Sequence, residues 1–281
     1  LNMLEIKDLH KSYGDNEVLK GIDLKVKEGE FIVVLGPSGA GKSTLLRCIN
    51  RLNEATSGEI LLNGKNIAHV EGRELIKIRQ AVGMIFQHHN LSRRLSVLKN
   101  VLVGRMAGLS GIMNLFQLFP KKDIEIAKEC LRQVGLEEKT YARADNLSGG
   151  QQQRVGIARA LAQEPQLMLA DEPIASLDPK SSRSVLNYIK NSCKERNISV
   201  LCNLHQIDFA MEFAERIVGI SKGKVVFDGL PENLTPAIIS EIYSGLEDES
   251  INKLVERMAK ERYDLRIAEE LSALNLTQQV A

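Results

Sequence analysis

The sequence has no run of apolar residues long enough to cross a bilayer. Its longest apolar stretches, such as Phe31-Ile32-Val33-Val34-Leu35, are strand-sized, against the ~20 residues a membrane-spanning helix needs. Any membrane association must therefore go through a partner. No secretory leader is expected at this N-terminus, because Glu5, Lys7 and Asp8 sit where its apolar segment would have to be. Met3 is read as the native start, with Leu1 and Asn2 as additional residues ahead of it. Charge of one sign is also lacking: 37 basic residues against 36 acidic ones leave a formal +1. That balance lacks the basic footprint of a nucleic-acid binder, although a local patch can hide in a balanced total. The four cysteines, Cys48, Cys130, Cys193 and Cys202, show no metal-ligand spacing and read as buried free thiols of a reducing, cytoplasmic compartment. There is no internal repeat and no low-complexity tract.

What remains is ordinary globular composition, 43% hydrophobic and 26% charged, in a chain of 281 residues. That suits one large domain or two small ones. Leu4 and Ile6, then Ile22, Leu24 and Val26, alternate with polar residues as half-exposed antiparallel strands do. The solid apolar strand 31–35 leads into a glycine-rich turn and a helix over roughly 42–52. A short hairpin is expected at 58–67, with turns at Ser57-Gly58 and Asn63-Gly64. From about 88 to 160 the period becomes helical. Ile124, Ala127, Cys130, Leu131 and Val134 make one stripe, and Gly135 stands where a helix would stop. Leu167–Ala170 and Ser199–Cys202 are apolar runs suited to a parallel sheet covered on both faces. Helices near 180–196 and 206–215 accompany them. A last strand pair, 217–220 and 224–227, turns at Lys222-Gly223. The charged tail from about 246 carries a stripe of Leu254, Val255, Met258, Leu265, Ala268 and Leu271. It reads as a helix packed on its own domain, with a dimer contact or regulatory appendage as the alternative.

Gly36-Pro37-Ser38-Gly39-Ala40-Gly41-Lys42-Ser43, with Thr44 next, fits the phosphate-loop pattern between a strand and a helix. Glycines let successive N–H groups turn toward an anion, and the helix adds its positive end. Lys42 is expected to reach the β- and γ-phosphates, and Ser43 to offer its hydroxyl to Mg²⁺. The strand ending at Ala170 runs into Asp171-Glu172, acidic residues at the carboxyl end of a buried parallel strand, where ligands bind. Asp171 is assigned to Mg²⁺ through water, and Glu172 to polarising the attacking water. The bland readings are a turn without nucleotide and an acidic strand end.

Further along, Leu147-Ser148-Gly149-Gly150-Gln151 opens a second helix, with Ser148 as its N-cap and the glycines baring the backbone. With this stretch the sequence closely resembles the ATP-binding-cassette ATPases, over roughly residues 4–235. The resemblance implies an α/β fold: a phosphate-loop (RecA-like) parallel-sheet core, an antiparallel β subdomain, and an inserted helical subdomain at about 88–160 carrying the signature. The nucleotide-binding domain would span 1–245, with 246–281 as a helical tail. It also implies a head-to-tail dimer in which Ser148, Gly149, Gly150 and Gln151 cap the nucleotide of the opposite subunit. Tyr13 resembles the ring that stacks on adenine, although a tyrosine beside Gly14 alone reads as a surface strand residue. Gln87 resembles the glutamine that senses Mg²⁺ and the attacking water, and Asp178, in Ser176-Leu177-Asp178, belongs to the loop crossing to the other subunit. His205 resembles the switch histidine that holds Glu172 and the water in line. His88 and His89 are read as part of a docking surface, with a metal site as the weaker alternative.

A cassette without a fused membrane segment looks like an importer subunit. Residues 45–52, 94–102 and 170–179, with Asn203-Leu204-His205-Gln206, resemble the ATP-binding subunit of bacterial phosphonate importers. That likeness implies ATP and Mg²⁺ as cofactors and transmembrane permease subunits as partners. It also implies an extracytoplasmic binding protein as an indirect partner and a peripheral place on the cytoplasmic face of the inner membrane. Phosphite, phosphate esters or another small solute are alternative cargoes. A soluble non-transport cassette, such as an accessory ATPase of a C–P bond-cleaving complex, is the reading from another class. A phosphate-loop kinase would leave the signature and His205 unexplained.

Overall fold

A computed structural model describes residues 2–88, 90–109 and 118–244. His89, residues 110–117 of the expected helical subdomain and the expected tail helix lie outside the described residues.

The first strands form the expected hairpin. β1 (Asn2–Tyr13) and β2 (Asn16–Lys27) pair antiparallel, with Tyr13 opposite Asn16. Alternation buries Leu4, Ile6, Ile22, Leu24 and Val26 on one face. β4 (Ser57–Leu62) adds to β1, and β5 (Lys65–Asn66) closes the sheet in the order β2-β1-β4-β5. Asn63-Gly64 makes the turn before β5, as expected. Ser57-Gly58 does not make the other. Gly58 lies inside β4 at φ +96°, where a Cβ would come within 2.3 Å of the Asp8 carbonyl oxygen. The residue is glycine because two backbones approach there, at a shift in the β1–β4 register.

The second sheet runs β10-β9-β3-β8-β7-β6. It comprises β3 (Phe31–Leu35), β6 (Val82–Ile85), β7 (Leu167–Asp171), β8 (Ser199–Asn203), β9 (Arg216–Ser221) and β10 (Lys224–Gly229). All pairings are parallel except that of the edge strand β10 with β9. β3 lies between β8 and β9, so the loop that follows it opens at the carboxyl edge of the sheet.

Alternation divides this sheet's side chains between two cores. Ile32, Val34, Leu167, Leu169 and Leu201 pack with the buried face of α1 (Lys42–Ile49) and the antiparallel sheet. Phe31, Val33, Met168, Ala170, Val200 and Cys202 point the other way, into the core built by the remaining helices. Those helices are α3 (Val97–Leu102), α4 (Lys121–Gln133), α5 (Gly149–Leu161), α6 (Pro179–Glu195), α7 (Ile207–Phe213) and α8 (Pro236–Ile242). α4 buries Ala127, Cys130 and Leu131 along the expected stripe, and Gly135 follows its end with positive φ.

The helices differ from expectation in three places. The helix expected over 42–52 stops at Ile49. α2 (Gly72–Ala81) was not foreseen, because it buries Ile78 alone and so carries no apolar stripe. α8, with a proline at its first turn, was missed for its brevity. All four cysteines are free and buried, and burial raises the thiols of Cys48 to about 11 and Cys193 to about 12. No described helix is long and apolar enough to cross a membrane.

Candidate functional site

Strand β3 delivers the chain into residues 36–41, and α1 leaves from Lys42. The first helical N–H groups have no acceptor inside the helix, and Gly41 offers no side-chain cap, so this helix start is left to bind an anion. Gly36, at φ +153°, passes so close to β9 that a Cβ would meet the Ile220 carbonyl oxygen at 2.2 Å. Gly36→Ala is therefore expected to cost about 3 kcal/mol of stability in a denaturant titration. A loss below about 1 kcal/mol would show that the loop can retreat from β9 freely.

Lys42 is only 3% exposed. Its ammonium donates to the carbonyls of Gly36 at 2.7 Å and Pro37 at 2.8 Å, and it lies 3.5 Å from His205 Nδ1. Burial pulls its pKa down to about 8, against the opposing pull of Glu172 and then Asp171. An ammonium can only donate, so Nδ1 of His205 is the acceptor and Nε2 carries the proton. Nε2 then donates to Glu172 Oε1 at 2.5 Å. Lys42, His205 and Glu172 thus form one chain. Glu172 takes a left-handed backbone at φ +50°, a strained conformation for a residue other than glycine. The Tyr243 hydroxyl, just beyond α8, donates to the His205 carbonyl at 3.2 Å.

Asp171 ends β7 almost fully buried. Ser43 Oγ donates to its Oδ1 at 2.6 Å and Asn203 Nδ2 at 3.0 Å, while Arg47 lies 3.7 Å from Oδ2. A hydroxyl that donates its hydrogen to a carboxylate keeps its lone pairs for a cation. The donors here are hard oxygens, and among the described residues no cluster of three His, Cys, Asp or Glu side chains forms. An ion held here must fill most of its shell from phosphate and water, which suits Mg²⁺. The residues present fit the group.

The other expected residues lie elsewhere. Ser148 caps α5 and forms a reciprocal box with Gln151: Gln151 N donates to Ser148 Oγ at 3.3 Å, and Ser148 N to Gln151 Oε1 at 3.0 Å. Gly149 and Gly150 face Leu177 and Ser181. Asp178 caps α6 by accepting from Lys180 N and Ser181 N, and the Ser181 hydroxyl and backbone hold its carboxyl below the usual range. Gln87 is exposed beyond β6. With His88, Gly149, Gln152, Ser176 and Leu177 it lines a cleft of about 480 Å³ that excludes the phosphate loop. A larger groove of about 800 Å³, between α4 and the loops at Glu164 and Arg196, holds none of these residues.

Tyr13 is half exposed; its hydroxyl accepts from Asn53 Nδ2 at 2.6 Å, and Lys11 lies 4.7 Å from the ring centre. Asn203, Arg47 and Tyr243 were not singled out from the sequence as site residues. Their partners come from distant elements, and only the amide in Asn203-Leu204-His205 gave a local signal.

The sequence matches the family described as ABC transporter over residues 19–175. It is 52% identical to the phosphonates import ATP-binding protein PhnC 2 of Halalkalibacterium halodurans, covering 86% of this chain and 99% of that protein. It is 49% identical to the phosphonates import ATP-binding protein PhnC of Bacillus cereus, covering 92% of this chain and all of that protein. Among solved structures, the ADP conformation of MJ1267, an ATP-binding cassette of an ABC transporter, superposes with a TM-score of 0.77. It shares 27% identity and covers 88% of this chain and 100% of its own. The dimeric post-hydrolysis state of the cassette MJ0796, bound to ADP and Pi, gives 0.70 at 35% identity, covering 82% and 99%.

Proposed function

The chain belongs to the ABC transporter family as one of its ATP-binding cassettes, and from that membership we propose that it hydrolyses ATP to drive phosphonate uptake. The observation that carries the ATPase reading is a division within one chain. Lys42, Ser43, Asp171, Glu172 and His205 form one contact network at the phosphate loop. The bared start of α5 makes its contacts with the 176–181 region instead. Half of a nucleotide site and a second anion-binding helix start thus have separate surroundings in one chain, which supports two copies arranged head to tail completing two sites.

In that assembly Lys42 and the first turn of α1 hold the β- and γ-phosphates. Ser43, and Asp171 through water, would hold Mg²⁺, with Gln87 as the residue that would sense it; when bound, the ion would neutralise phosphate charge. Tyr13 stacks on adenine, and residues 36–41 and Thr44 wrap the phosphates. Ser148, Gly149, Gly150 and Gln151 of the second copy cap the γ-phosphate, with Asp178 ordering the loop that crosses between the subunits. His205 holds Glu172 Oε1, so that the other carboxylate oxygen accepts from the attacking water in line with the transferred group. Because the γ-phosphate joins both copies, ATP favours the closed pair and hydrolysis releases it, which moves a permease partner. The chain then works at the cytoplasmic face of the inner membrane, fed indirectly by an extracytoplasmic binding protein.

The cargo rests on the names of the relatives, since a transported molecule would not touch this chain. The test is uptake of a labelled aminoalkylphosphonate in host cells carrying only the Glu172→Gln chain. Uptake is expected to vanish while phosphate uptake persists. Undiminished uptake would remove the phosphonate assignment and leave the ATPase reading in place.

A further inference from the structure

We propose that Asn203 is a positioning residue that sets the divalent-ion affinity of the nucleotide complex by orienting Asp171. The inference rests on the ATPase reading above and adds a residue to it.

By alternation Asn203 continues the series that includes Leu201, on the sheet face packed against α1, in register with Val34 of β3. Parallel pairing sets it beside Asp171. It is fully buried, and its Oδ1 has no hydrogen-bond partner among the described residues. A buried amide with one end unsatisfied is a poor choice for packing. Its Nδ2 makes its bond to Asp171 Oδ1. The acceptor-only carboxylate also fixes which end of the amide faces it.

Two donors therefore converge on Oδ1 of Asp171: the Ser43 hydroxyl and the Asn203 amide. A hydroxyl rotates freely about its bond, whereas an amide clamped within a central strand does not. Asn203 thus pins Oδ1, while Oδ2, 3.7 Å from Arg47, is the oxygen that would address a hydrated ion. The same strand leads directly to His205, so one element orients both the metal-side carboxylate and the histidine that holds Glu172.

The experiment measures binding of a fluorescent ATP analogue, mant-ATP, to the Glu172→Gln chain in EDTA and in saturating Mn²⁺. Removing a partner that orients a metal ligand typically weakens metal affinity by 10- to 100-fold. Asn203→Leu, which removes the donor, and Asn203→Asp, which keeps the shape but sets a second carboxylate against Asp171, are each expected to bind mant-ATP in EDTA as the parent does. Each should lose about tenfold of the affinity gained on adding Mn²⁺. A thermal melt identifies a variant that does not fold, and the other then decides. An unchanged Mn²⁺ gain would overturn the proposal, as would an equal loss of metal-free binding, which marks a structural role. Failure of the parent itself to bind mant-ATP would overturn the ATPase reading, and this inference with it.

Discussion

Glu172→Gln is expected to slow steady-state ATP hydrolysis by about 10²- to 10³-fold while leaving ATP affinity within about twofold of the parent. The substitution keeps shape and removes the group proposed to accept the proton of water. An amide oxygen can still receive the His205 Nε2 hydrogen that Glu172 Oε1 receives at 2.5 Å, so the local geometry survives. Backbone strain is not relieved, since glutamine inherits the same left-handed φ of +50°. On the proposed reading, binding depends on Lys42 and the start of α1, which the change does not touch. With γ-phosphate retained, the closed pair should accumulate. Size-exclusion chromatography with light scattering should show a dimer in ATP and a monomer in ADP. Turnover within tenfold of the parent would remove Glu172 from its assigned role. Lost turnover without a trapped dimer would instead undercut the head-to-tail arrangement.

The parts of the site that were legible in the sequence are those in which chemistry fixes local spacing. A phosphate loop must place glycines, a lysine and a hydroxyl within eight residues, and a capped helix start needs Ser148 three residues before Gln151. Such patterns need no tertiary information. The contacts from Asp171 to Asn203 and from His205 to Tyr243 depend on which strands become neighbours and in which register. Nothing within a short window of sequence encodes that. Asn203 follows an apolar run in the sequence, but its bond to Asp171 follows only once β7 and β8 are paired.

The same limit explains the fold. β3, β7 and β8 were legible because five consecutive buried residues make an unmistakable run. β6 is four residues long, includes Gly83, and follows a helix that buries only Ile78. Its burial comes from lying beside β7, not from its own composition. Gly58 shows the reverse error: Ser-Gly reads as a turn, while the demand on that glycine comes from Asp8, fifty residues earlier and one strand away. Local turn chemistry and close backbone approach select the same residue type, and sequence alone does not separate them.

Lys42→Met should severely weaken nucleotide binding without destabilising the nucleotide-free fold. The ammonium is buried among loop carbonyls, and burial has pulled its pKa to about 8. The charged form is thus disfavoured in the empty loop, and an unbranched apolar side chain of similar length relieves that cost. Two donated bonds are lost in exchange, so the melting temperature should stay within about 3 °C of the parent. ATP affinity should fall at least ~100-fold, about 2.7 kcal/mol, because the phosphates lose their point charge.

The pH dependence separates this account from a merely structural lysine. The folded pKa lies below the unfolded value of about 10.4, so between about pH 8 and 10 the unfolded chain binds more protons than the native one. Lys42 then makes the stability of the nucleotide-free protein rise with pH across that window, and the benefit is lost as pH falls through about 8. Phosphate binding requires the ammonium, so ATP affinity should fall as pH rises above about 8. Both trends should flatten in Lys42→Met, measured by urea titration and by mant-ATP fluorescence from pH 7 to 9.5. A parent whose affinity holds level to pH 9.5 would mean that the lysine keeps its proton in the empty loop. The carboxylates of Glu172 and Asp171 would then outweigh burial at this site.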